Sequence, residues 1–153
     1  MQKIIINRCY GGFGLSSECK LLVATRKNGG VEPYIYRLGM ADGKEVATRV
    51  SREQLLEETD AWVQFYLCGE DYGVSCKECL VEDNSLLRFL YDFDQCKART
   101  DPDLVAAVEE LGPERASGYC AELMVVEVPD DVVWDISEYD GIEQVEEAHR
   151  SWP

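Results

Sequence analysis

The chain of 153 residues lacks long apolar runs and an excess of basic residues. No stretch approaches the roughly 18 apolar residues of a membrane-spanning helix, and residues 1–30 hold no long apolar run, so we expect no signal peptide. The 30 Asp and Glu residues outnumber the 15 Lys and Arg residues, which gives a net charge of −15. This charge argues against direct binding of nucleic acid and against adhesion to anionic membranes. We therefore expect a cytoplasmic protein.

Histidine is nearly absent, because His149 is the only one in the chain. Ser–His or Cys–His catalysis would have to use this residue, which we expect at the C-terminal end of a helix. Glu109 and Glu110 are adjacent, so they point in different directions on a helix and are poor acid–base partners. No catalytic residue is identified, and the sequence favours a protein that is not an enzyme.

Seven cysteines without a secretion signal indicate reduced thiols in a cytosol, most of them in the core. Cys76 and Cys79 form a lone C-x-x-C pair, and Cys68 and Cys96 complete a set of four candidate zinc ligands. Structural zinc sites commonly use two close pairs, whereas this set contains one. We therefore prefer thiols without a metal or other cofactor, and zinc is the alternative.

Composition and periodicity predict one α+β domain over residues 1–153, with a mixed sheet of about five strands and three to five packed helices. Ile4–Ile6 predict a central strand, and Pro33 places the second strand near an edge. We predict strands at 3–8, 31–38, 44–50, 120–128 and 132–139, a loop at 68–84, and helices from Ser16 or Ser17 to Asn28, from Ser51 to about Gly69, over 85–99, from Asp101 to Gly112 and from Asp140 to about His149.

The last of these helices is predicted from a capping-box pattern. Asp140 is the expected N-cap, and Glu143 is expected to reach back to it. Ile142, Val145 and His149 would then face inward. Trp152 is expected to fold back onto the domain or onto a second copy, because exposure of such a large ring is unfavourable.

The negative charge is concentrated in the C-terminal third. Residues 100–153 contain 15 acids and only two bases, and residues 127–147 contain nine acids and no base. Apolar residues alternate with these acids, so we expect a folded segment. It is either a solvated face or a surface that meets a basic partner. The candidate partner-binding residues are Asp130, Asp131, Asp135, Glu138 and Asp140.

A glycine-rich loop follows the first predicted strand and precedes a helix, a layout that presents backbone N–H groups to an anion. It lacks the third small residue of the dinucleotide fingerprint and the Gly-Lys-Ser/Thr of a P-loop. One interpretation is a tight turn that Tyr10 and Phe13 anchor in the core. The other is a nucleotide or phosphate site, with the candidate ligand-binding residues Asn7, Arg8, Tyr10, Gly11, Gly12, Gly14 and Ser16.

Motifs near both ends of the chain are specific enough to compare with a family. Residues 3–16 read K-I-I-I-N-R-C-Y-G-G-F-G-L-S, residues 138–143 read E-Y-D-G-I-E, and residues 149–152 read H-R-S-W. With D-P-D-L-V at 101–105, they resemble a group of small uncharacterised proteins encoded by tailed bacteriophages. The resemblance covers about half the chain, and we interpret residues 28–98 as an insertion or elaboration specific to this member. It implies a phage product in the bacterial host cytoplasm and no known activity.

Two functions are therefore open. In the first, the acidic C-terminal half binds a host or phage protein with a basic surface, such as a nucleic-acid-binding or defence protein, and modulates or inhibits it. In the second, the glycine loop binds or sequesters a nucleotide or phosphate ligand. Association into a homo-oligomer is compatible with either.

Overall fold

The structure is a computed structural model, and it describes residues 1–60, 62–78, 81, 86–91 and 95–148. The chain divides into two compact units. Unit 1 comprises Met1–Cys19 and Leu90–Pro153, and unit 2 comprises Lys20–Phe89. Unit 2 is thus inserted in the sequence of unit 1, and it largely coincides with the segment 28–98. That this segment is specific to one family member stays a prediction.

The described residues contain eight strands and four α-helices, which confirms the predicted α+β class. A single turn of 3-10 helix covers Arg88–Tyr91. No described helix is long and apolar enough to span a membrane. The elements are β1 (Gln2–Asn7), α1 (Ser17–Lys27), β2 (Tyr34–Ala41), β3 (Lys44–Val50), α2 (Arg52–Glu57), β4 (Phe65–Cys68), β5 (Ser75–Lys77), α3 (Gln95–Arg99), α4 (Pro102–Ala116), β6 (Leu123–Val128), β7 (Trp134–Tyr139) and β8 (Ile142–Glu147).

The prediction of one mixed sheet of about five strands is wrong, because the described strands form three antiparallel sheets. In unit 1, β1 pairs with β6 and β7 pairs with β8. In unit 2 the strand order is β4-β2-β3-β5. Strand patterns do not show which strands pair, and here the inserted unit has a sheet of its own.

The core of unit 1 is centred on β1 and α4. Ile4, Ile5 and Ile6 are buried, so β1 is covered on both faces as predicted. α4 packs on β6 and β1 through a stripe that includes Leu104. Its N-cap is Asp101, whose carboxylate accepts hydrogen bonds from two backbone N–H groups of the first turn, as the sequence indicates.

The sequence predicts that α4 ends at Gly112, and the regular helical backbone is interrupted there by a kink. The φ of Gly112 is +79°, and Pro113 then begins a last turn that ends at Ala116. Proline is compatible with this position because the first residues of a helical turn need no N–H donor.

Unit 2 is built on the predicted hairpin of β2 and β3. Asp42 and Gly43 form its two-residue turn with φ values of +52° and +75°, as a type I′ turn requires. The prediction that Pro33 marks an edge strand is wrong. Proline immediately precedes β2, which lies between β4 and β3 in the sheet.

α2 is much shorter than predicted. The capping box of Ser51 and Gln54 is present, yet the helix ends at Glu57. Asp60 then accepts a hydrogen bond of 2.9 Å from the backbone N–H of Trp62, and β4 follows beside β2. The predicted loop at 68–84 contains β5, and the described part of 85–99 contains the 3-10 turn and α3.

The predicted closing helix is wrong, because residues 142–147 form β8. Asp140 and Gly141 have φ values of +53° and +89° and make the two-residue turn that joins β7 to β8. Asp-Gly satisfies the type I′ turn better than a helix N-terminus, where φ is negative. The predicted positions of His149 and Trp152 lie outside the described residues.

Candidate binding surface

Three segments of unit 1 meet through glycines beside the loop that follows β1. A β-carbon on Gly11 would lie 2.8 Å from Cβ of Cys120, and one on Gly141 would lie 2.5 Å from the backbone nitrogen of Gly12. A β-carbon on Gly118 would lie 2.9 Å from a backbone oxygen of the same loop. Because only glycine permits such approaches, we call Gly11, Gly118 and Gly141 the glycine junction.

Asn7 stabilises the glycine junction through hydrogen bonds of its buried side chain. This residue is fully buried, and its side-chain nitrogen donates hydrogen bonds of 2.7 Å to the carbonyl oxygens of Cys9 and Gly141. Its side-chain oxygen accepts from the backbone N–H groups of Cys9, at 3.2 Å, and Glu122, at 2.9 Å. The amide is therefore fully engaged by the protein itself, which satisfies a buried polar group.

A buried ion pair lies next to Asn7. Arg99 is 5% exposed and Glu143 is 7% exposed, and they form two hydrogen bonds of 2.6 and 2.8 Å. The same Glu143 carboxylate accepts a 2.8 Å bond from the backbone N–H of Asn7. The guanidinium of Arg99 also lies 3.6 Å from the ring centre of Phe13. Nothing in the sequence pattern predicted this pair.

The outer residues of the loop have different roles. Arg8 is exposed and donates a 2.8 Å hydrogen bond to the carbonyl oxygen of Glu143. Ser16 caps α1 by accepting a 3.0 Å bond from the backbone N–H of Cys19, and the carbonyl oxygen of Gly14 accepts from Gly118. Tyr10 is 64% exposed, so its expected role as a core anchor is wrong.

The turn between β7 and β8 packs against Gly11 and Gly12, the two glycines that a phosphate site would use. An anion would need the backbone N–H groups of Gly11 and Gly12. A β-carbon on Gly141 would lie 2.7 and 2.5 Å from the two nitrogens, so the turn between β7 and β8 occupies this approach. The geometry favours a structural turn here, and nucleotide or phosphate binding stays a prediction.

The five acids predicted to bind a partner are all exposed, but they do not form one cluster. Asp130 and Asp131 lie between β6 and β7, whereas Glu138 and Asp140 lie at the opposite end of β7. Asp135 and Glu138 point to opposite faces of the hairpin, because side chains alternate along a strand. The sequence therefore predicts that these acids are exposed, but it does not predict how they are grouped on the surface.

One face of the β7–β8 hairpin carries a pair of like charges. The register places Asp135 directly opposite Glu146, both exposed. Such pairs have Cβ atoms about 4.5–5.5 Å apart, and like charges there are destabilising. Glu146 accepts hydrogen bonds from Ser137 and Gln144 on the same face. We call Asp135, Ser137, Tyr139, Gln144 and Glu146 the acidic hairpin face.

Each of the three segments that meet at the glycine junction carries an exposed tyrosine. Tyr10, Tyr119 and Tyr139 are 64%, 90% and 81% exposed. Tyr10 precedes Gly11, Tyr119 is next to Gly118, and Tyr139 lies two positions before Gly141, so one tyrosine is on each segment of the junction. We call these three residues the tyrosine surface. Aromatic residues of this kind are enriched in protein interfaces.

The structure describes three of the four candidate zinc ligands. Cys68 and Cys76 belong to one hydrophobic cluster of unit 2, Cys79 lies outside the described residues, and Cys96 is in unit 1 with its sulfur 3.9 Å from a carboxylate oxygen of Asp135. In the part of the chain that is described, no group of three or more Cys, His, Asp or Glu residues is arranged to hold a metal ion. Burial raises the pKa of Cys68 to about 11, which opposes the thiolate that zinc requires.

Comparison of the chain with protein-family models, curated proteins and solved structures finds no match. The function therefore has to be inferred from the geometry of its own residues. Sequence reasoning missed the Arg99–Glu143 pair and the exposure of Tyr119 and Tyr139. The one local signal for the tyrosines is that each lies within two positions of a junction glycine.

Proposed function

We propose that this protein is a small acidic binding protein that attaches to a basic partner protein through the acidic hairpin face. The partner is a host or phage protein, and binding modulates or inhibits it in the bacterial cytoplasm that the phage resemblance implies. The observation that carries this proposal is the exposed pair of Asp135 and Glu146, directly opposite each other.

The Asp135–Glu146 pair is electrostatically unfavourable in the isolated protein. Two carboxylates held side by side repel each other, and residues 127–147 contain no basic residue to lie between them. A lysine or arginine from a partner would accept both carboxylates as hydrogen-bond acceptors and remove the repulsion. Binding would thus relieve the electrostatic repulsion that destabilises the hairpin in the unbound protein.

The charge of the surrounding sequence supports the same partner class. Residues 100–153 have a net charge of −13. A field of one sign attracts an oppositely charged protein over about a Debye length, which is roughly 8 Å at physiological salt. We therefore expect fast association that slows as salt is added.

The test compares two variants with the same change in net charge. Asp135→Lys/Glu146→Lys reverses the acidic hairpin face, and Glu45→Lys/Glu57→Lys reverses two exposed acids of unit 2. Each protein is used to capture partners from bacterial lysate at low salt, and the captured protein is then purified. In titration calorimetry we expect the first variant to bind at least about tenfold more weakly, since lost charge-assisted bonds are each worth more than 1 kcal/mol.

The control variant should bind the purified partner as tightly as the native protein. A partner that binds both variants equally would contradict the proposal, because net charge alone would then explain attraction. A captured partner without a basic surface would also contradict it.

A further inference from the structure

We infer that the tyrosine surface is the centre of the same interface and that it recognises arginine side chains of the partner. This inference rests on the proposed function, and it adds the chemical identity of the basic groups. Tyr10, Tyr119 and Tyr139 are 64%, 90% and 81% exposed, although burial of large aromatic rings is favourable.

The tyrosines are carried by a backbone that is already fixed. Gly11, Gly118 and Gly141 bring their three segments into direct backbone contact, and Asn7 bonds to two of the segments. Binding would therefore order only side chains, which keeps the entropic cost of association low. Binding hot spots are enriched in tyrosine, so exposed tyrosines on a fixed backbone fit this role.

The protein itself shows how its aromatic rings and carboxylates hold a guanidinium. Arg99 lies 3.6 Å from the ring centre of Phe13 and is paired with a carboxylate of unit 1. In unit 2, Arg49 lies 4.4 Å from the ring centre of Tyr34 and 3.3 Å from a carboxylate oxygen of Asp71. In both places the ring and the carboxylate act together on one arginine.

The tyrosine surface offers the same two groups to an external arginine. Asp140 follows Tyr139 in the turn after β7, and Glu122 is three positions after Tyr119. Both acids are exposed. A guanidinium is planar and weakly hydrated, so it stacks on a ring while it bonds to a carboxylate, whereas an ammonium is a compact, strongly hydrated charge. Charge complementarity and ring stacking together favour arginine over lysine.

Two synthetic peptides of the same length and charge test this preference, one with arginines and one with lysines at the same positions. We expect the native protein to bind the arginine peptide about 5–30-fold more tightly in titration calorimetry at low salt, because exposed cation–π contacts are modest individually. Tyr10→Ala/Tyr119→Ala/Tyr139→Ala should remove this difference and leave lysine-peptide binding nearly unchanged.

A matched control removes an exposed ring elsewhere. Trp62 in unit 2 is 92% exposed, and Trp62→Ala should retain the arginine preference. The melting temperature of each variant shows whether folding is intact. If the native protein binds both peptides equally, or if the tyrosine variant keeps its preference, the arginine inference is overturned while the proposed function stands. If the native protein binds neither peptide, both are overturned.

Discussion

The guanidinium of Arg99 and the carboxylate of Glu143 form two hydrogen bonds, of 2.6 and 2.8 Å, in the interior of unit 1. They connect α3 to β8, and a further bond from Arg99 reaches the carbonyl oxygen of Ile5 in β1 at 3.2 Å. The ion pair thus holds the β7–β8 hairpin to the strand at the centre of the core. Because both partners are buried, neither charge can be hydrated if the other is removed.

Arg99→Met or Glu143→Leu should each lower the free energy of unfolding by about 3–5 kcal/mol, because one buried charge is left without its partner. The double variant should lose much less than the sum of the two, since it leaves no isolated charge. Urea denaturation measures all three. Glu147→Leu is the control, because Glu147 is an exposed residue of the same strand. Losses that simply add would show that the two residues stabilise the fold independently.

Gly141→Ala should destabilise the protein more than Gly12→Ala. The two glycines have similar φ values, +89° and +98°, so the backbone strain of alanine is similar. Only at Gly141 does the new β-carbon meet backbone, at 2.5 Å from the nitrogen of Gly12, whereas at Gly12 it enters open space. We expect a further loss of about 1–3 kcal/mol at Gly141, as overpacking usually costs. Equal losses in urea denaturation would exclude the glycine junction as a tight contact.

Asp135→Lys should make the protein more stable while it weakens partner binding. Lysine at this position faces Glu146 across the hairpin and replaces a repulsion by an attraction of about 0.2–1 kcal/mol. Asp135→Asn, which removes the repulsion without adding an attraction, should lie between the two. Thermal unfolding gives the order of stability. A stability order of native above Asn above Lys would contradict the like-charge interpretation.

The stability of unit 2 should fall as the pH rises from about 9 to 11. Burial, the largest cause, raises the pKa of Cys68 from 9.0 to about 11. Below pH 9 the thiol is protonated in both states, so its full contribution to stability is present. Above pH 9 the unfolded chain releases the proton first, and this favours unfolding by at most about 3 kcal/mol, at about 1.36 kcal/mol per pKa unit.

Cys68→Ala isolates this contribution, because the variant has no thiol to titrate at that position. Its free energy of unfolding in urea should fall less steeply between pH 9 and 11 than that of the native protein. Tyr36, whose pKa burial also raises, remains in both proteins and contributes to the slope of each. Identical slopes would show that Cys68 is not protected from ionisation.

Local sequence patterns that are compatible with only one kind of element predicted that element correctly. Ile4–Ile6 predicted a strand that is buried on both faces, and Asp101-Pro102 predicted the start of α4. The capping box at Ser51 was correct, although the end of α2 was not, since the aromatic residues of β4 fit a helical face equally well.

The C-terminal hairpin was missed because two local rules compete there. Asp140 and Glu143 have the spacing of a capping box, and Asp140-Gly141 is also a type I′ turn. Glu143 decides between the helix and the turn. Its charged side chain is buried in β8 because it forms an ion pair with Arg99. A local sequence pattern cannot show an ion-pair partner that lies 44 positions away.

The candidate surface was only partly predictable for the same reason. Its exposed acids are visible in the composition, since residues 127–147 contain no base. The assembly of Tyr10, Tyr119 and Tyr139 depends on backbone contacts between distant segments, which no periodicity reports. The sequence predicts Tyr10 in the core because aromatic residues usually pack there.

The insertion of unit 2 into unit 1 has a consequence for the order of events on the ribosome. Gln2–Asn7 finds its ladder partner only in Leu123–Val128, and the last strand that contacts it is Ile142–Glu147. Lys20–Phe89 is complete long before either emerges, and domains generally fold as they leave the exit tunnel. Three consecutive isoleucines therefore stay without their partner strand through most of translation, a period in which a growing chain is open to chaperones and to aggregation.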